Sequence, residues 1–131
     1  LYTTSSSLWY EKKVKNRPFK DRLKFAWNGV FWAWTHEASF RFQVVSALGM
    51  IFFTGAAGAT PFWWALILLT IGGVLSLELV NTALEALLDR VHPEIHPLIQ
   101  IAKDCAAGAV LLQSLVSLLV FVFFVFQKIS A

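Results

Sequence analysis

Apolar residues gather in three long runs along this chain: Val44 to Ala59, Pro61 to Leu77, and Cys105 to Phe126. At 1.5 Å per helical residue they reach about 24, 26 and 33 Å, against a bilayer hydrocarbon core of about 30 Å. A chain in lipid must satisfy its own backbone groups, so each run reads as a helix. The first two are short as purely apolar segments, but helical spacing continues past them into polar sequence. Ahead of the first run, Leu23, Ala26, Trp27, Val30, Phe31 and Trp34 fall on one helical face, with Lys20, Lys24 and Asn28 on the others. That pattern predicts a helix lying in the membrane interface. Pro18 suits its first turn. Gly29 inside it marks a mild cost or a close approach. Gly72-Gly73 offers the second span a close helix contact, and Pro93 and Pro97 end that helix.

The expected fold class is an all-α membrane protein: an amphipathic interfacial helix followed by three transmembrane helices. The expected layout is a flexible polar and basic tail over 1–17, then one domain over 18–131. Within it the surface helix is placed at about 18–36 and the spans at about 38–59, 61–91 and 98–128.

Composition narrows the class. Hydrophobic residues make up 57% and charged residues 15% of 131, with mean hydropathy +0.63. Soluble domains carry roughly 25% charge, so a soluble globule and a disordered chain are both excluded. One cysteine, Cys105, excludes an intrachain disulfide and a thiolate zinc cluster. A net charge of +3, without basic residues interleaved with stacking aromatics, argues against a nucleic-acid partner. No nucleotide-binding GxxxxGK[ST] loop, protein-kinase glycine loop or GxSxG elbow is present.

Charge distribution sets the expected topology. Ten of the eleven basic residues flank the first span on its N-terminal side or lie between the second and third; only Lys128 follows the third. The positive-inside rule then places the N-terminus and the second loop in the cytoplasm and the C-terminus outside. All eight acidic residues, with His36, His92 and His96, fall on that same inner side. The chemistry is therefore expected at the cytoplasmic face.

The densest candidate site continues the second span. At about 100° per residue, Glu78, Asn81, Glu85 and Asp89 lie within about 80° of arc, with Thr82 at its border. Stacked carboxylates at a membrane interface call for a cation or a protonated member. A solvated helix end explains Asp89, but explains Glu78 poorly, because Glu78 abuts the apolar run. Glu37 and Arg41, four apart, precede the first span; Lys103 and Asp104 open the third. Taken singly these are helix-end anchors or ion pairs. Together with the stripe, they bring carboxylates and cations from three helices to one membrane level. That assembly suits magnesium and a phosphate-bearing ligand.

The run Glu78-Leu79-Val80-Asn81-Thr82-Ala83-Leu84-Glu85-Ala86-Leu87-Leu88-Asp89 resembles the ExxNTAxExxxD signature of the prokaryotic diacylglycerol kinase family. Lys103 to Leu111 resembles its KDxxAGAVL segment, and Glu37-Ala38-Ser39-Phe40-Arg41 its E-x-x-F-R. The likeness covers about residues 20 to 127. Asn28-Gly29 and Pro93-Glu94-Ile95-His96-Pro97-Leu98 look more like the undecaprenol kinase branch than the diacylglycerol kinase branch.

The resemblance implies a homotrimeric, multi-pass enzyme of the bacterial plasma membrane that moves the γ-phosphate of ATP to a lipid alcohol, undecaprenol or diacylglycerol. It implies Glu78 as general base, Glu37 and Glu85 as magnesium ligands, and Asn81, Asp89, His96, Lys103 and Asp104 as nucleotide-binding residues. Arg41 and Trp34 are assigned to the lipid side. Ile99-Gln100 departs from the Ala-Lys common in undecaprenol kinases. A small cation transporter or channel is the competing class. Transporter sites sit near the midplane, however, and this stripe sits at one edge. A purely structural subunit leaves the stripe unexplained.

Overall fold

The computed structural model describes residues 17–131, so the tail expected before Arg17 lies outside the described residues. Four helices follow: α1 (Phe19–His36), α2 (Ala38–Ala56), α3 (Pro61–Val91) and α4 (Pro97–Ser130). The last three are each long and apolar enough to cross a bilayer, and no strand occurs among the described residues. The protein is thus an all-α membrane protein with one further helix ahead of its three spans. α3 and α4 hold 31 and 34 residues. They run about 46 and 51 Å, well beyond the hydrocarbon core.

Local chemistry sets the helix ends. Pro18 stands just outside α1 as its N-cap residue (φ −52°, ψ 149°) and accepts bonds from the N–H groups of Asp21 and Arg22 at 3.0 and 3.3 Å. α1 and α2 are separated by a single extended residue, Glu37 (φ −106°, ψ 111°), whose N–H still reaches Ala33 O at 2.8 Å. Between α2 and α3 the chain turns through Gly58 at φ +62°, a region open to glycine because it has no Cβ. Lys128, from the far end of α4, donates to Gly58 O at 2.9 Å and lies 5.8 Å from the Phe124 ring centre, fastening this turn. Pro61 and Pro97 occupy first helical positions, where the missing N–H has no helical partner to lose.

α3 is the spine. Its buried residues Ile67, Thr70, Ile71, Val74, Glu78 and Thr82 follow the i, i+3, i+4, i+7 pattern of one helical face. α4 lies against it over the longest contact in the molecule. Ala47, Ile67, Ile71 and Phe124 form the apolar core, with the Phe124 ring tilted against Trp63 at 5.5 Å. Of the glycine pair, Gly73 makes the close contact. A Cβ there would meet Gln113 Nε2 at 2.7 Å, whereas Gly72 faces open space. The vacancy lets Gln113 donate to Thr70 O at 3.4 Å, and Ser117 Oγ lies 3.3 Å from Thr70 Oγ1.

Within one chain, 17%, 28% and 17% of the apolar windows of α2, α3 and α4 are buried, so most of their hydrocarbon faces outward. On α1, Leu23, Trp27, Phe31 and Trp34 also face outward. Ala26, Val30 and Ala33 turn instead toward Leu79, Thr82 and Ala83 of α3, lining an open groove of about 380 Å³. Gly29 lines that space, and a Cβ added there would meet nothing within 4 Å, so it marks a gap and not a close approach.

Candidate active site

The polar stripe on α3 meets the first turns of α2. Glu78 is only 4% exposed. Ser39 Oγ donates to its Oε1, and Gln43 Nε2 donates to its Oε2 at 3.1 Å. Ser39 and Gln43 are four residues apart on α2, so one helical face delivers a donor to each carboxylate oxygen. Burying a carboxylate is costly unless its lone pairs are met. Hydrogen bonds to a charged group contribute about 1.5–3 kcal/mol each, enough to make these two side chains part of why α2 docks here. Both donors are neutral. They hold the carboxylate without cancelling its charge.

One turn along α3, Asn81 Nδ2 donates to Glu85 Oε1 at 3.3 Å. Asn81 Oδ1 and Gln43 Oε1 are both buried without a hydrogen-bond partner. Such orphans are uncommon in folded proteins and call for an explanation. Glu37 sits at the start of α2, yet its side chain makes no capping bond. Among the described residues no three His, Cys, Asp or Glu side chains converge as a preformed metal cage.

Toward the polar end of the molecule, Lys103 of α4 bonds Asp89 of α3. Neighbouring Asp104 accepts instead from Gln100 Nε2 at 2.8 Å. His96 caps α4, its ring accepting from Leu98 N at 3.2 Å, and stands 5.7 Å from the His92 ring. Arg41 does not pair with Glu37. Its Nη1 donates to Trp34 O at 2.9 Å and Thr35 O at 3.3 Å. The last carbonyls of α1 lack helical partners and carry the negative end of the helix dipole, so they draw the guanidinium. Trp34 is 41% exposed beside this contact.

The structure therefore brings Glu78 together with α2, Asn81 with Glu85, and Asp89 with Lys103. It sets Asp104 and His96 in contacts local to α4. Ser39 and Gln43 are the residues that sequence reasoning missed. The available signal was two polar side chains, four apart, at the start of an otherwise apolar span.

Residues 24–125 match the family model described as prokaryotic diacylglycerol kinase. The undecaprenol kinase of Bacillus subtilis is 35% identical over 105 residues, covering 80% of this chain and 85% of that protein. A diacylglycerol kinase of Synechocystis is 38% identical over 99 residues, 75% of this chain but only 57% of that longer protein. The diacylglycerol kinase of Escherichia coli is 30% identical over 95 residues, 72% of this chain and 78% of its own. A family match over most of the chain, on a three-span membrane fold with a buried carboxylate at its polar edge, places the protein: it belongs to the prokaryotic diacylglycerol kinase family and is a membrane enzyme of the lipid-kinase class.

Proposed function

We propose that the protein transfers the γ-phosphate of ATP to the hydroxyl of a membrane lipid alcohol, undecaprenol in preference to diacylglycerol, at the cytoplasmic face of a bacterial plasma membrane. One observation carries this reading: the order of polar groups along α3. Glu78 is buried where the apolar span ends. Glu85 follows about 10 Å further along and Asp89 about 16 Å further. A lipid hydroxyl lies at headgroup level and a nucleotide lies in water. A site that joins them must run along the membrane normal, and a polar stripe that continues a membrane-spanning helix supports such a path.

Phosphoryl transfer needs positioning and charge stabilisation more than covalent chemistry. Glu78 takes the hydroxyl proton while the lipid oxygen bonds to the γ-phosphorus and the bond to ADP breaks. Each carboxylate oxygen keeps a second lone pair, so the bonds from Ser39 and Gln43 leave room for the substrate hydrogen. Asn81, Asp89, His96, Lys103 and Asp104 take the nucleotide. Lys103 is the cation that can move from Asp89 to a phosphate. Arg41 holds the end of α1 beside Trp34, on the lipid side.

Magnesium fits the donors present. The buried, unpaired Asn81 Oδ1 belongs to the residue that orients Glu85, and Glu37 is not spent on a cap. All are hard oxygens. Magnesium commonly uses one or two carboxylates plus substrate phosphates, so it does not require a three-carboxylate cage. When bound it would neutralise phosphate charge, with Glu37 and Glu85 as its holders.

The undecaprenol preference is supported by the long match to the Bacillus subtilis enzyme and by Asn28-Gly29 and Pro93 to Leu98. A homotrimer is supported by the family resemblance and by the outward apolar faces of all three spans. A cation channel gains no support, since Pro61 to Gly73 carries no charge. The test is purified protein with labelled ATP, magnesium, and undecaprenol or diacylglycerol in parallel. Label should enter the lipid phase, more of it with undecaprenol. No label in either lipid sinks the reading, and a diacylglycerol preference overturns the choice of lipid. A reporter that works only outside the cytoplasm should be active when fused after Ala131; a cytoplasm-only reporter working there overturns the placement.

A further inference from the structure

The first turns of α4 carry a polar face, and one of its four members has no assigned part. At about 100° per residue, His96, Gln100, Lys103 and Asp104 fall within about 100° of arc. Three of them stand among the proposed nucleotide-binding residues; Gln100 does not. His96 Nδ1 accepts from Leu98 N, so on the neutral ring Nε2 carries the hydrogen and offers a donor on the other side. Lys103 bonds Asp89. Gln100 is exposed, and its Nε2 donates to Asp104 Oδ1 at 2.8 Å.

An ionised Asp104 only accepts hydrogen bonds, so this bond fixes which end of the Gln100 amide is nitrogen. The amide nitrogen has two hydrogens, and Asp104 uses one. Among the described residues the other hydrogen and the carbonyl Oε1 have no partner. A donor and an acceptor side by side on one amide complement adenine, which sets its amino group beside a ring nitrogen. Guanine has a carbonyl oxygen where adenine has that amino group. A glutamine free to turn over could exchange its nitrogen and oxygen to follow the change. This one is tied, because turning over would set Oε1 against the Asp104 carboxylate, acceptor against acceptor. A lysine in its place would close an i, i+4 ion pair with Asp104 and present no acceptor at all.

We propose that Gln100 is a specificity-determining residue that reads the purine of the nucleotide, and that Asp104 is the tie that sets its order of donor and acceptor for adenine. Gln100 Oε1 accepts from the exocyclic amine, and Nε2 donates to the neighbouring ring nitrogen. Lys103, on the same face of α4, remains available to move from Asp89 to a phosphate. The inference rests on the lipid-kinase reading and deepens it: that reading names ATP as the phosphate donor, and this face supplies a reason for adenine over guanine.

The experiment uses the full chain in lipid nanodiscs with undecaprenol or diacylglycerol, whichever is the better acceptor. The kcat/KM values for ATP and for GTP are measured on one preparation, so loss of folded protein cancels from their ratio. Wild type should favour ATP. Gln100→Leu removes both polar atoms and should lower the ratio about tenfold, the lower end for a bidentate amide–base pair, because water can meet the same groups at an exposed position. Gln100→Glu offers acceptors only and should lower the ratio as far, which keeps the test decisive if the leucine variant fails to fold. KM for the lipid alcohol should hold in both. Asp104→Asn can donate as well as accept, so it lets Gln100 turn over and should lower the same ratio. Added to Gln100→Leu it should lower the ratio no further, and a further fall there overturns the tie. Equal use of ATP and GTP by wild type, or an unchanged ratio in the folded Gln100 variants, overturns the proposal while leaving the lipid-kinase reading intact. Wild-type protein that labels no lipid alcohol with either nucleotide defeats that reading first.

Discussion

Glu78 and Asp89 stand on one face of the same helix and are held in opposite ways. Glu78 is buried, and two neutral side chains from α2 fix its oxygens. Asp89 is open to solvent and is met by the cation of Lys103 from α4. The first arrangement preserves a negative charge in a set position; the second neutralises one that water could have solvated anyway. Rigid neutral support suits a group that must receive a proton at one point in space. A loose ion pair suits groups that part and re-form around a ligand. The two ends of the stripe should therefore respond differently to the same kind of substitution.

Glu78→Gln is the severest test of the difference. It keeps shape and removes the acceptor, and kcat should fall by about 10²–10⁴-fold, the usual worth of general-base catalysis, with KM for ATP little changed. Normal turnover in this variant would erase the distinction and move the base elsewhere, Asp104 being the next candidate. Asn81→Leu comes next. It removes the buried oxygen and frees Glu85, so the magnesium concentration needed for half activity should rise about 10–100-fold, as supporting partners of metal ligands typically cost. A magnesium titration identical to wild type would mean that Asn81 serves packing alone. Asp89→Asn should have a milder effect, raising KM for ATP several-fold while kcat stays near normal. Exposed ion pairs contribute about 0–1 kcal/mol to stability, so its melting temperature in detergent should barely move. A large loss of kcat there would make the two carboxylates alike. Gly73→Ala lies outside both regions and should act on stability only. Gln113 must withdraw from Thr70 O, and overpacking of this kind costs about 1–3 kcal/mol. Specific activity of the folded fraction should be retained, and an unshifted thermal melt would show that Gln113 yields freely.

What could be read from the sequence follows from what periodicity encodes. The spans and the α3 stripe were legible because each depends on spacing within one helix. Glu78 stood out because it adjoins Leu77 at the end of an apolar run. Contacts between helices were not legible. Nothing in the spacing of Ser39 and Gln43 says that their face meets Glu78, because that depends on how α2 crosses α3. Arg41 was similarly hidden. At i+4 from Glu37 it reads as an ion-pair partner, but the single-residue corner at Glu37 brings the bare carbonyls of α1 within its reach. Lys103 and Asp104 are adjacent in sequence yet face different partners, since successive residues on a helix point about 100° apart.

The length of α3 has a consequence for how this enzyme's substrates are counted. On the proposed function, one helix of about 46 Å carries the site from the edge of hydrocarbon into bulk water. On that reading its two substrates arrive from different phases. ATP is met at a concentration per volume, while the lipid alcohol is met at a mole fraction within the membrane plane. Adding inert detergent or phospholipid at constant total alcohol dilutes one substrate and leaves the other untouched. An apparent lipid KM from micelles is thus a property of the surface as much as of the protein, and rates become comparable between preparations only when expressed in surface units.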